Sequence, residues 1–79
     1  MDYRFILRRR VENVKPEIKE IYKSVGKRRF NQYIKELKSE LFIGEMEDYG
    51  YHFKDSFKYK LQYEIDAAVD KAVTEIIIL

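Results

Sequence analysis

Cysteine is absent from these 79 residues, and histidine occurs once. The first absence excludes a disulfide staple and any zinc site built on thiolates. It suits a reducing, cytoplasmic setting. The second leaves His52 without another imidazole for a transition-metal cluster, so it reads as an ordinary half-exposed residue. No apolar run approaches the roughly 18 residues of a membrane span. "MDYRFILRRR" lacks a signal peptide's order of charge, apolar core and small-residue cleavage site, which points to a soluble intracellular protein. No phosphate-cradling loop, dinucleotide fingerprint or nucleophile elbow occurs. A chain this short leaves little room for a pocket of tuned acids and bases. The protein is expected not to be an enzyme and to need no cofactor. Glu45, Glu47 and Asp48 lack a calcium loop's spacing and read as a solvated acidic bend, so no metal site is expected.

What is present is charge, unevenly spread. Residues 1–31 hold ten Lys and Arg against four Asp and Glu, a balance of +6. Residues 32–79 hold six against ten, a balance of −4. A basic front half and an acidic back half suggest two faces with different partners. The length allows one domain, 1–79, and a domain this small often gains stability by dimerising. The apolar ending "EIIIL" supports a homodimer.

Periodicity suggests an α+β domain of order β-α-α-β-β-α. "YRFILRR", Tyr3 to Arg9, alternates and favours a strand. A helix is the competitor, because Tyr3, Leu7, Val11 and Val14 also fit a helical stripe. Val14, Ile18, Ile21, Tyr22 and Val25 share one helix face. Pro16 suits only a first turn, so that helix is expected to start near Lys15 and to end at Gly26 as a left-handed cap. A second helix follows from about Arg29 to Leu41 on Phe30, Ile34, Leu37 and Leu41, with "GKRR" between the two. "GEMED", Gly44 to Asp48, is the expected seam. "YGYHF" and "FKYKLQYEID" then alternate as two strands around a loop at Lys54 to Ser56. Asp66 could cap a last helix on Ala68, Val69, Ala72, Val73 and Ile76. The final "IIIL" either extends that helix or adds an edge strand.

The front half carries the main functional expectation. A strand presenting Arg4, Ile6 and Arg8 on one face, paired with its copy across a dimer, fits a DNA major groove. Lys27, Arg28 and Arg29 stand at the entry of the second helix, where backbone N–H groups suit a phosphate. The expected partner is duplex DNA. In the back half, Tyr49, Tyr51, Tyr59 and Tyr63 could stack unpaired bases beside Lys58 and Lys60. The favoured reading is that they fill one face of a small sheet. They also form a plausible contact for a protein partner, the second functional reading: a small inhibitor of viral or mobile-element type that blocks a larger protein.

"VKPEIKEIYKSVGKRRFNQYIKEL" resembles the two helices of the ribbon-helix-helix, Arc/MetJ-like DNA-binding family, over residues 3–41. The resemblance implies an obligate dimer and a sequence-selective transcription regulator, with Arg4, Ile6 and Arg8 facing the groove. Residues 42–79 would be a partner-binding hairpin-plus-helix extension. The element order is also similar to the KH RNA-binding topology, with "GKRR" near the place of its Gly-x-x-Gly loop, which makes an RNA binder a minor alternative.

Overall fold

The computed structural model describes residues 3–49 and 55–78, with side chains described from 4 to 47 and from 57 to 77. Three helices follow one another: α1 (Tyr3–Ser24), α2 (Lys27–Tyr49) and α3 (Asp55–Ile78). There is no strand among the described residues, so the α+β expectation, the ribbon-helix-helix assignment and the KH-like topology are all corrected to a three-helix bundle. The pairing of two N-terminal strands across a dimer falls with them.

The correction has one cause, visible in α3. Phe57, Leu61 and Ile65 are spaced by four residues, and Val69, Ala72 and Ile76 continue the same row. Leu61, Ile65, Val69, Ala72 and Ile76 are buried, and Phe57 is half-buried. Tyr59 and Tyr63 form a second row of the same spacing, at 80% and 72% exposed. Two interleaved helical rows on opposite faces imitate a period of two over nine residues. Only the continuation through Ile76 separates the two readings. Asp66 lies inside α3 and accepts a hydrogen bond from Gln62 Nε2 at 2.9 Å, so it caps nothing. The apolar ending continues the helix to Ile78.

The same holds for α1. Leu7, Val11 and Ile18 make one buried row, whereas Phe5 is 60% exposed. That row carries the helix through Pro16, which is an interior, exposed residue of α1 and not its start. Gly26 is the second correction. Its φ is not in the left-handed region, and its carbonyl accepts from the Phe30 N–H at 3.0 Å. It is therefore the N-cap of α2, not a left-handed close to α1. The break between the helices does fall here. Beyond it the row Phe30, Ile34 and Leu37 is buried, with Leu41 half-buried beside it. The expected seam at Gly44–Asp48 is uninterrupted helix. Of "YGYHF", Tyr49 ends α2, and residues 50–53 lie outside the described residues. Asp55 and Ser56, expected in a hairpin loop, open α3.

α3 packs most extensively on α1 and next on α2, while α1 and α2 touch least despite their short connection. α3 is thus wedged between the first two helices, and its row Leu61–Ile65–Val69 forms the centre of the core. α1 and α3 run parallel, with α2 antiparallel between them in sequence, and the body measures 39 × 22 × 16 Å. Ion pairs link α3 to its neighbours at its outer edge: Lys15 binds Glu75, and Lys38 Nζ lies 2.9 Å from Asp70 Oδ1. Among the described residues no helix is long and apolar enough to cross a membrane.

The Lys15–Glu75 pair makes a testable contribution to pH dependence. Its hydrogen bond holds the Glu75 carboxyl below the usual carboxylate range and the Lys15 ammonium above the usual lysine range. A lowered acid stabilises the fold above its unfolded pKa and ceases to do so as pH falls through its folded value. For the raised lysine, the contribution is present below the unfolded pKa and is lost as pH rises through the folded one. Stability should therefore fade on the acid side, and Glu75→Gln should flatten that decline. Urea midpoints measured from neutral pH down to pH ~3 test this. An acid decline of unchanged steepness in the variant would remove Glu75 as a cause.

Candidate polyanion-binding end of the bundle

The turn from α1 to α2 gathers cations. Lys23 lies in the last turn of α1, and Lys27, Arg28 and Arg29 open α2. All four are exposed, and among the described residues none forms an ion pair. The first turn of α2 contains no acid. This runs against the helix dipole, whose positive end disfavours cations by about 0.3–1 kcal/mol each at exposed sites. The N-cap, Gly26, has no side-chain oxygen to offer the first N–H groups. The nearest hydroxyl does not serve either, because Ser24 Oγ donates back to the Glu20 carbonyl at 2.5 Å.

Beside this turn lies an open cleft of about 580 Å³ between the ends of all three helices. Its apolar wall is Tyr22, Val25, Phe30, Val73 and Ile77; Lys27 and Asn31 are the polar members. Tyr22 is 42% exposed and stands edge-on to Phe30, their ring centroids 5.1 Å apart. Each ring lies four positions from Gly26, one on either side, so the turn itself brings them together. Deeper in the α1–α2 seam, burial pushes the Tyr33 hydroxyl up to about 12, helped by the charge of Glu17 and the hydrogen bond to it.

The other cations expected to bind nucleic acid fare differently. Arg4 and Arg8, four apart on α1, both line a groove between α1 and α3 of about 480 Å³. Lys71 joins them, but Glu12, Glu64 and Glu75 line the same groove, so its charge is mixed. Ile6 is half-buried and is not part of that groove, because a helix turns it away from Arg4 and Arg8. The common face expected for Arg4, Ile6 and Arg8 does not exist. Lys27, Arg28 and Arg29 do stay together. Tyr59 and Tyr63 are neighbours on the outer face of α3; nothing is described of the Tyr49 side chain, and Tyr51 lies outside the described residues.

Glu45, expected in a solvated bend, is fully buried and lies 2.8 Å from Arg10 Nη1. Its signal is in the spacing, since Glu45 continues the row Leu37–Leu41. A Cβ on Gly44 would stand 3.7 Å from the same Arg10 nitrogen, so the guanidinium crosses the backbone there. Nothing in the sequence groups Tyr22, Asn31, Val73 and Ile77, because the cleft joins three helix ends that are far apart along the chain. Among the described residues no group of three or more His, Cys, Asp or Glu is placed to hold a metal ion. No family model, curated protein or solved structure matches this chain.

Proposed function

We propose that the protein is a small, non-catalytic, intracellular binding domain whose basic end holds the phosphate backbone of a nucleic acid. One observation carries this: Lys23, Lys27, Arg28 and Arg29 flank the α1–α2 turn without ion-pair partners, and the last three stand at the start of α2 against its dipole, where they cost the fold stability. A phosphate reverses the sign of that interaction, turning dipole and cations into one anion-binding surface. The mixed charge of the α1–α3 groove offers no such surface. Base reading by a paired strand is not part of the proposal, since the strand is absent; backbone contacts position a nucleic acid without reading it.

Binding should be measured by fluorescence anisotropy across stepped salt. For every phosphate that the protein no longer neutralises, the slope of log K against log salt falls by about 0.7–0.9. Arg28→Ala should therefore weaken every sequence alike and lower the slope by about that amount. If the unaltered protein shows no salt-dependent binding to any nucleic acid at low ionic strength, the proposal fails. The protein-blocking reading then comes first. Its supporting observation is the pair of exposed tyrosines, Tyr59 and Tyr63, side by side on α3 and suited to the centre of a protein contact.

A further inference from the structure

The cleft at the basic end is more than a phosphate needs. A polyanion held only by charge makes no use of an apolar wall, an exposed ring braced by a second ring, and an amide. Single-stranded nucleic acids do use such a combination. Cations track the backbone while unpaired bases stack on aromatic side chains. In a duplex the base faces are occupied by their neighbours and cannot enter a side cleft.

We propose that the Tyr22 cleft takes an unpaired base of a single-stranded nucleic acid, whose phosphates lie on Lys23, Lys27, Arg28 and Arg29. The inference rests on the backbone-binding reading above and names the ligand class for that site. Tyr22 offers a partly exposed ring held edge-on by Phe30, so stacking costs little ordering of the side chain. Val25, Val73 and Ile77 supply an apolar wall for the far side of the base. Asn31, whose amide both donates and accepts, reaches the same cleft and suits a base edge. Lys27 belongs to both parts, lining the cleft and standing in the cation cluster. Charge complementarity therefore sets the strand's course, and the cleft sets where a base leaves it.

The test compares four probes with the 79-residue chain at low salt. They are a single strand of about twelve thymidines, its uridine RNA counterpart, an abasic strand of equal length and charge, and a duplex. Anisotropy should show the base-bearing single strands bound roughly ten-fold tighter than the abasic strand, and tighter than the duplex. Either sugar meets the expectation, and the two arms say which is preferred. Tyr22→Ala should remove the advantage over the abasic strand while leaving the salt slope unchanged. Tyr22→Phe keeps the ring and should keep the advantage. Tyrosine fluorescence should be quenched by the base-bearing strands and less so in Tyr22→Ala. Circular dichroism confirms that each variant is folded. Equal affinity for abasic and base-bearing strands overturns the base cleft and leaves the backbone reading standing. So does a duplex bound as tightly as a single strand, or a Tyr22→Phe that loses as much as Tyr22→Ala. Failure of every probe to bind overturns both.

Discussion

Replacing Arg10 by Met should cost about 2–4 kcal/mol of stability at neutral pH. The reason is Glu45, which is fully buried and accepts a hydrogen bond from Arg10 Nη1 at 2.8 Å. Removing one partner of a buried pair typically costs about 3–5 kcal/mol, because a charge remains in a poorly solvating interior. The lower end is expected here, since the Arg10 side chain is 37% exposed and part of its charge is already screened by water. One companion result follows from the same cause. The double variant Arg10→Met, Glu45→Leu should recover most of it, because apolar replacements of similar volume dispense with the desolvation of both charges. Urea denaturation of the three proteins decides the matter. An Arg10→Met variant as stable as the parent would mean that the pair contributes nothing.

Pro16→Ala should raise stability by about 2–3 kcal/mol. Proline in a helix interior is about 3 kcal/mol less favourable than alanine, since it lacks the N–H for residue i−4 and its ring crowds that carbonyl. Here the carbonyl is that of Glu12. The alanine chain is freer when unfolded, which returns up to about 1 kcal/mol of the difference. Pro16 is exposed on α1, so the substitution strips no packing from the core. For a domain of this size each kcal/mol moves the melting temperature by roughly 4–8 °C, so thermal circular dichroism should register a rise of roughly 8–24 °C. An unchanged or lower melting temperature would show that the packing of α1 on α3 depends on a bend at this residue.

These two residues also show how far local signals reach. Pro16 argues for a helix start, and its local cost is real. It is outweighed by Leu7, Val11 and Ile18, three buried apolar side chains in one row that spans the proline. Burying each fully is worth about 1.5–3 kcal/mol, so the row exceeds the proline's penalty. Glu45 is an acid among acids in the sequence, so solvent is the natural place for it. Only its position in the row of Leu37 and Leu41 argues otherwise. Lys27, Arg28 and Arg29 are legible as a group from "GKRR" alone, because residues adjacent in sequence at a helix start remain adjacent in space. The cleft is not, because Tyr22, Asn31 and Ile77 come from three elements.

By itself the sequence determined what depends on neighbours along the chain: the break at Gly26, the helical rows on either side of it, and a basic turn with no acid to offset it. Those are matters of backbone conformation and spacing, which a few adjacent residues settle. The tertiary structure decided what depends on which surface finds a partner. Tyr59 and Leu61 are two apart in an alternating run that suits a strand and a helix equally. Leu61 is buried and Tyr59 exposed only because α3 inserts between α1 and α2 and buries the whole row from Leu61 to Ile76. The free energy that chooses helix over strand there is long-range apolar burial, and no window of nine residues contains it.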